Sequence, residues 1–347
     1  MIALYSGLVV SAEPWEPGVQ RLVVAVHDGG ERPALCYEAL CGHCSEGDHV
    51  IVNGTAVDLG LGTGGVDFVV ASRGIGHSLV RRGPGHIVKG RYLPCQVAVQ
   101  AVEELPEHAG VWERTLEGMP VVAAELHSQI VPIAFGIRSA GPRRIAYVMT
   151  DTGALPMAFS RTIARAKSTG LIDATLTCGQ AFGGDYETVT LHSALLAARY
   201  IAQCDVAIVC QGPGNVGTGT KYGFGGIAQA YALDTAAQLG GAPICALRMS
   251  DADKRQRHRG VSHHTRTCLA LAHVRCAAPV PEEIGARSIG KGSVVLVTGA
   301  DDVLAAMSSA GWDILTMGRS VDEDPLFFRA SAAAGLYAAA MLAKRLQ

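Results

Sequence analysis

The stretch Asp205–Gly226, DVAIVCQGPGNVGTGTKYGFGG, decides the fold because it contains a predicted strand and a glycine-rich loop, and a predicted helix follows it directly. The apolar run Val206–Cys210 predicts a buried strand, and the fifteen residues that close the stretch include seven glycines. The Ala-rich run Ile227–Leu239, which comes next, predicts a helix. A strand, a glycine loop and a helix in this order are typical of a parallel α/β sheet, in which the loop and the helix N-terminus present backbone N–H groups to a ligand.

The same alternation continues on both sides of this stretch. Apolar runs predict further strands at Val121–Glu125, Arg144–Met149, Ala174–Cys178, Pro243–Leu247, His273–Ala277, Val294–Val297 and Ile314–Met317. Helices are predicted at Phe159–Thr169, Tyr186–Ala202, Ser262–Leu271, Asp301–Ser309 and from Pro325 onward. This alternation favours a doubly wound, mostly parallel, Rossmann-like α/β sheet, which we assign to residues 91–347.

Residues 1–90 follow a different pattern. Five short β-prone runs lie at Ile2–Ser11, Arg21–His27, Ala34–Leu40, Val50–Asn53 and Asp67–Ala71. Glycine turns separate them, and short strands at this spacing predict a small antiparallel barrel or sandwich.

Composition excludes several classes of protein. The 347 residues are 49% hydrophobic and carry a formal net charge of −2, which argues against a general nucleic-acid binder because phosphate affinity needs a basic surface. No apolar run is long enough to predict a membrane span. The ten cysteines lie mostly in apolar runs without a disulfide-like framework, so we expect reduced thiols and a cytoplasmic protein.

The glycine loop is the predicted binding segment, with Gly212, Gly214, Asn215, Gly217, Thr218 and Gly219 as its ligand-contacting residues. Its first three glycines fit the dinucleotide fingerprint, but residue 237, where an acidic side chain is expected, is Ala. Lys221 lacks the frame of a phosphate-binding P-loop. A dinucleotide, another phosphate or carboxylate ligand, and close backbone packing all remain interpretations of this loop.

A second candidate segment runs from Asp251 to Thr265 and is rich in Arg and His. His258, His263 and His264 are candidate catalytic residues, since imidazoles transfer protons or bind borderline metals. Asp251 and Asp253 offer hard oxygen ligands for a divalent cation. The alternative is a solvated charged loop in front of a helix that Ser262 caps.

Two carboxylates complete the catalytic candidates. Asp151 follows the predicted strand Arg144–Met149, a position where catalytic carboxylates lie in open sheets, and Asp185 follows the strand Ala174–Cys178. The alternatives are a turn residue for Asp151 and a helix N-cap for Asp185.

The run Cys41-Gly42-His43-Cys44 has the letters of a redox motif. A redox motif opens a helix, whereas this run precedes a turn and a strand. A zinc knuckle with Cys36 lacks a fourth ligand at the usual spacing. We interpret these thiols as incidental to a turn.

Six runs are distinctive as a set: KGRYLPCQ at 89–96, LHSQ at 126–129, YVMTD at 147–151, AFGGD at 181–185, GPGNVGTGT at 212–220 and RHRGVSHHT at 257–265. Together they resemble an uncharacterised bacterial protein family, a domain of unknown function, over nearly the whole chain. The resemblance implies no activity, cofactor or catalytic role.

The sequence thus predicts an enzyme that binds a small anionic metabolite, phosphorylated or nucleotide-like, at the carboxyl ends of the strands. The alternative is a non-enzymatic ligand-sensing protein with the same cleft. No cofactor or metal follows from the sequence, no membrane or nucleic-acid partner is expected, and homo-oligomerisation stays open.

Overall fold

The computed structural model describes residues 2–27, 29–61, 64–72, 84–285, 289 and 292–344. The chain divides into two units, Met1–Gln100 and Ala101–Gln347. Each unit has its own hydrophobic core, as is typical of separate domains.

The first unit is built around a closed five-stranded barrel. Its strands are β1 (Leu4–Glu16), β2 (Val19–Val26), β3 (Glu31–Tyr37), β4 (His49–Asn53) and β5 (Asp67–Ser72). They lie in the order β1-β2-β3-β5-β4, and every neighbouring pair is antiparallel except β3 and β5. Alternate side chains such as Leu22, Val24, Val50 and Val52 fill the interior. The predicted N-terminal β-domain is confirmed.

The described residues of this unit also form two short helices and one small antiparallel ribbon. They are α1 (Glu38–Cys41), α2 (Thr55–Asp58), and the antiparallel pair β6 (Ile87–Lys89) and β7 (Val97–Val99). The redox interpretation of the Cys41–Cys44 run requires a helix that begins there, but α1 ends at Cys41. Both thiols are buried in the barrel core, and Cys44 Sγ lies 3.6 Å from Cys36 Sγ.

The second unit contains an eight-stranded parallel sheet. In chain order its strands are β8 (Pro120–Ala123), β9 (Ile145–Thr150), β10 (Ala174–Thr177), β11 (Tyr186–Glu187), β12 (Val206–Gln211), β13 (Ala242–Cys245), β16 (Ala277–Pro281) and β17 (Ser293–Val297). Between β13 and β16 the chain forms a separate antiparallel pair, β14 (Met249–Ser250) and β15 (Gly260–Val261). The spatial order of the large sheet is β11-β10-β9-β12-β8-β13-β16-β17. The predicted Rossmann-like α/β class is confirmed.

Helices cover both faces of the sheet, as a doubly wound fold requires. They are α3 (Ile130–Arg138), α4 (Arg161–Ser168), α5 (Leu191–Tyr200), α6 (Ala228–Gln238), α7 (His263–Leu271), α8 (Ala300–Ser309) and α9 (Pro325–Lys344). Leu195, Leu233 and Leu269 place α5, α6 and α7 in the core of one face. Helices α3, α4, α8 and α9 pack on the other face, where Ile133 and Phe328 are fully buried.

Three predicted elements are wrong. The strand predicted at His273–Ala277 begins only at its last residue, where β16 starts. Residues 314–317 are not a strand: Leu315 and Met317 are 60% and 56% exposed, and Met317 has a φ of +50°, which no strand residue adopts. The helix predicted from Tyr186 begins only at Leu191, where the side chain of Thr190 caps it. Tyr186 and Glu187 instead form β11, because they pair with Leu176 and Thr177. Asp185 is therefore not an N-cap.

Helix α9 is apolar and long enough to cross a membrane by length and composition, and 67% of its most apolar window is buried inside the protein. Its backbone approaches that of α3 closely. A Cβ atom at Gly136 would lie 2.6 Å from the carbonyl oxygen of Ala332, and a Cβ atom at Gly335 would overlap the carbonyl oxygen of Ile133. The two glycines thus allow this helix pair to pack.

We expect Gly335→Ala to lower the free energy of unfolding by roughly 1–3 kcal/mol, because the added methyl group forces the two helices apart. Gly110→Ala is the matched control, since a Cβ atom at Gly110 meets nothing within 4 Å. Denaturant titration of both variants tests this. A Gly335→Ala protein as stable as the control contradicts the packing argument.

Candidate functional site

The candidate site lies at the carboxyl ends of β12, β8 and β13, which are neighbours in the sheet. The connection from β8 to β9 runs toward the β11 edge of the sheet, and the connection from β12 to β13 runs toward the β17 edge. Ligands of open parallel sheets bind where the strand order reverses in this way. Glu125 follows β8, the glycine loop follows β12 and Arg248 follows β13.

Glu125 is completely buried at the centre of the site. Its Oε1 accepts hydrogen bonds from Arg248 Nη1 at 2.7 Å and Asn215 Nδ2 at 3.3 Å, and it lies 2.5 Å from His264 Nδ1. Burial favours the protonated carboxyl group, but the hydrogen bond from His264 and the charge of Arg248 outweigh it and hold the pKa of Glu125 below its ordinary value. Glu125 is thus a buried anion that orients its neighbours.

Arg248 connects the end of β13 to the start of α7. Its side chain is buried, and Nη2 lies 3.7 Å from Asp253 Oδ2. Its backbone N–H donates to Thr265 Oγ1 at 3.1 Å, and its carbonyl oxygen accepts from the Ser262 N–H at 2.9 Å. The β14–β15 pair closes the intervening loop, so the histidines of this segment are brought back to Glu125.

His258, His263 and His264 form a cluster in which one ring nitrogen from each lies within 4.8 Å of the others. In the described part of the chain, no other group of three His, Cys, Asp or Glu side chains brings its donor atoms this close. His263 and His264 are the first two residues of α7, and Ser262 caps that helix as predicted by accepting from the His264 N–H at 3.2 Å.

Two of these rings are held through Nδ1. His258 Nδ1 lies 2.8 Å from Ser262 Oγ, and His264 Nδ1 is bound to Glu125. The His264 ring also stacks on Phe224, with a centroid separation of 3.7 Å and an interplanar angle of 3°. These contacts fix both ring planes and leave the Nε2 atoms for other partners.

The glycine loop forms a hairpin and not an open phosphate-binding turn. The Thr218 N–H donates to the Gly223 carbonyl oxygen at 2.8 Å, and the Gly225 N–H donates to the Val216 carbonyl oxygen at 2.9 Å. These N–H groups are therefore used within the loop. The hairpin tip itself is exposed to solvent.

Backbone geometry explains most of the predicted fingerprint. A Cβ atom at Gly212 would lie 2.5 Å from the Ala154 carbonyl oxygen, so this position needs glycine for packing. Gly214 and Gly219 have φ values of +89° and +79°, which favour glycine. A Cβ atom at Gly217 would make only an ordinary van der Waals contact, with Phe224 at 3.8 Å, so this position does not require glycine for packing.

The carboxylate side chain of Glu125 lies beside the short turn that leads into α6. The Gly226 N–H donates to Asn215 Oδ1 at 3.1 Å, and a Cβ atom at Gly226 would overlap Glu125 Cγ. Glu125 therefore lies where the fingerprint would place a phosphate.

Arg257 is the cation that joins the glycine loop to the histidines. A Cβ atom at Gly219 would lie 3.7 Å from its guanidinium group. After burial and His264, the charge of Arg257 also contributes to lowering the pKa of His263. Among the residues that the structure describes, no carboxylate pairs with Arg257.

Asp253 does not act as a hard cation ligand. Its carboxylate binds Arg255 through Nε at 3.0 Å and Nη2 at 2.9 Å, and Arg319 Nη2 lies 3.6 Å away. Burial would raise the pKa of Asp253, but Arg255 holds it well below the usual range. The interpretation of Asp251 and Asp253 as a cation pair is therefore wrong, because arginines occupy the oxygens of Asp253 and Asp251 is exposed.

The two catalytic carboxylate candidates lie apart from the cluster. Asp151 follows β9, two strands from β8, and its Oδ2 accepts from the Gln180 N–H at 2.9 Å. Asp185 accepts from the Thr175 N–H at 2.8 Å and pairs with Lys167. Thr175 is near the amino end of β10, so Asp185 lies away from the carboxyl edge.

Sequence reasoning missed three central residues: Glu125, Phe224 and Arg248. One signal was available for two of them. Glu125 and Arg248 each follow a fully apolar strand segment directly, where a charged side chain must either face a site or find a buried partner.

His127 lies beside this site. Its Nε2 is 2.7 Å from Ser160 Oγ, its Nδ1 is 3.3 Å from the Gln211 carbonyl oxygen, and its ring meets Tyr147 edge-on. Burial lowers the pKa of His127 to about 4, although the backbone contact at Gln211 acts in the opposite direction. The ring is therefore neutral in the folded protein at neutral pH.

Comparison with known proteins gives a family without an assigned role. The family described as "Protein of unknown function (DUF3866)" matches residues 33–335, which is most of the chain and spans every residue of the site. Neither curated proteins nor solved structures gave a match.

We expect Arg248→Met to destabilise the protein by roughly 3–5 kcal/mol, since it leaves the Glu125 carboxylate buried without its cation. The double variant Glu125→Gln/Arg248→Met should recover part of this loss. Denaturant titration measures both. Arg329→Met, which breaks the exposed pair with Asp301, is the control and should cost about 1 kcal/mol or less. A loss no larger than the control would contradict the buried-pair assignment.

Stability should depend on pH through His127. The unfolded chain takes up a proton on this ring near pH 6.5, whereas the folded protein does so only near pH 4. The free energy of unfolding should therefore fall as the pH decreases between these values, and His127→Asn should flatten that slope. Thermal unfolding at several pH values measures it, with His192→Asn, a change at a surface histidine, as control. Equal slopes in the wild type and His127→Asn would exclude this contribution.

Proposed function

The chain belongs to the family described as a protein of unknown function (DUF3866), and we propose that it is an enzyme acting on a small anionic metabolite, phosphorylated or nucleotide-like. The substrate binds between the glycine loop and the arginine-rich segment, at the carboxyl ends of β12, β8 and β13. The three clustered histidines lie beside the substrate and supply the nitrogen donor atoms of the site.

The observation that carries the proposal is the position of Arg257. Two arginines of the site have protein carboxylates as partners: Arg248 has Glu125, and Arg255 has Asp253. Arg257 is exposed and lies over Gly219 without such a partner among the described residues, and its charge contributes to lowering the pKa of His263. A guanidinium group in this state binds the oxygens of a phosphate or carboxylate through paired hydrogen bonds.

The chemistry is supported by the neutral imidazoles. Burial is the largest cause that lowers the pKa of His258, to about 3, and it also lowers the pKa of His263. Neutral imidazole rings offer lone pairs next to the bound anion, and lone pairs there are what catalysis at this edge requires. A ligand-sensing protein needs the anion site but no such cluster.

A cytoplasmic location belongs to the same proposal. All ten cysteines are free thiols, and nine of them are buried. Free thiols in this number are typical of a reducing compartment.

Thermal-shift titration with pyrophosphate, ADP and a hexose phosphate tests the binding step, because a ligand of the folded state raises the melting temperature. Arg257→Gln should weaken binding by roughly ten- to a hundredfold, which corresponds to the loss of a charge-assisted hydrogen bond. Arg275→Gln is the control, since Arg275 is an exposed arginine just before β16 and therefore lies at the amino ends of the strands, away from the site at their carboxyl ends.

Equal binding by the wild type and Arg257→Gln overturns the anion site. Product analysis of the ligands that bind then separates the two functions. Conversion by the wild type supports the enzyme, and binding without conversion of any of these ligands supports the ligand-sensing alternative.

A further inference from the structure

We propose that His258, His263 and His264 bind one transition-metal ion, with zinc as the best fit. The proposal goes beyond the anionic substrate, and it does not depend on that substrate because the ion binds to protein side chains alone.

Chain geometry brings the three rings together before any ion arrives. His263 and His264 are adjacent residues at the start of α7, and His258 ends a short turn four residues before Ser262. The ring centroids are separated by 4.4 Å, 4.9 Å and 4.9 Å. Three imidazoles at this separation form a coordination set that closes by small side-chain rotations.

The partners on the far side of the rings are those of a metal site. A histidine that binds metal through one nitrogen usually donates from the other to a carboxylate, hydroxyl or carbonyl group. His264 Nδ1 lies against the buried carboxylate of Glu125, and His258 Nδ1 lies against the hydroxyl of Ser262. Both contacts leave Nε2 for an ion.

His263 supplies an independent observation. Its Nε2 is buried and has no hydrogen-bond partner among the described residues. A buried polar atom in that state loses its hydration without compensation. Coordination to an ion satisfies it.

The type of ligand selects the ion. Imidazole nitrogens suit zinc and its neighbours, whereas calcium and magnesium require oxygen ligands. The nearby carboxylates do not supply such oxygens, since Glu125 and Asp253 are bound to arginines. Three histidines with an open fourth position are a known arrangement for zinc. A tetrahedral site with Zn–N bonds of about 2.0–2.1 Å needs N···N distances of about 3.3 Å, so the rings must close by up to about 1.5 Å.

Zinc titration of the full-length, metal-free protein against a chromogenic chelator tests the proposal. The wild type should bind one zinc ion, and His263→Ala should bind it at least about 100-fold more weakly, since loss of an outer partner alone costs 10–100-fold. His273→Ala is the matched control, because His273 is 93% exposed and should leave zinc affinity unchanged. Circular dichroism verifies that each variant is folded.

The thiols of the barrel are the rival zinc ligands, and two measurements separate them. Cys41→Ser/Cys44→Ser should keep wild-type zinc affinity. Cobalt bound to the wild type should give the spectrum of nitrogen ligation without a thiolate charge-transfer band. The proposal is overturned if the wild type binds no zinc, if His263→Ala binds like the wild type, or if the cysteine variant loses the ion. A thiolate band in the cobalt spectrum overturns it as well, without relying on any variant.

Discussion

The buried ion pair between Glu125 and Arg248 is the constraint on which the site depends. Each charge would be costly alone in this interior, so neither side chain can move away without the other. Through the pair, Glu125 also holds Asn215 of the glycine loop and His264 of α7. One carboxylate thereby fixes the ends of β8 and β13, the loop after β12 and the first turn of α7. We interpret the pair as a device that fixes geometry, since an apolar pair of similar size would be as stable.

The fold was predictable because its signals are local. Strands that are buried on both faces appear as continuous apolar runs, and β9, β10, β12 and β17 lie close to the runs that predicted them. The errors arise where tertiary contacts override the local pattern. Leu315 and Met317 are apolar but exposed, and Tyr186 pairs with Leu176 although the segment looks like a capped helix start.

The site was predictable only in part. Three histidines within seven residues are visible in any reading of the sequence, and their cluster follows from one helix start and the turn before it. Glu125 and Arg248 are 123 residues apart, and their contact depends on β8 and β13 being neighbours, which no local pattern indicates. Asp253 was misassigned although its main partner, Arg255, is only two residues away. Its second arginine, Arg319, is distant in the chain. The glycine fingerprint fits packing as well as binding, and only the hairpin geometry shows that part of it serves packing.

The position of β12 has a consequence for how the chain reaches this structure during synthesis. β12 lies between β9 and β8, although both of those strands precede it in the chain. Until Val206–Gln211 have been synthesised, β8 and β9 both lack the strand that lies between them, and neither can form its final pairing on that side. The two ladders close in one event when β12 enters, which is a long-range step and hence slow. Until then the unpaired edges of β8 and β9 can pair with other chains, which is a route to aggregation.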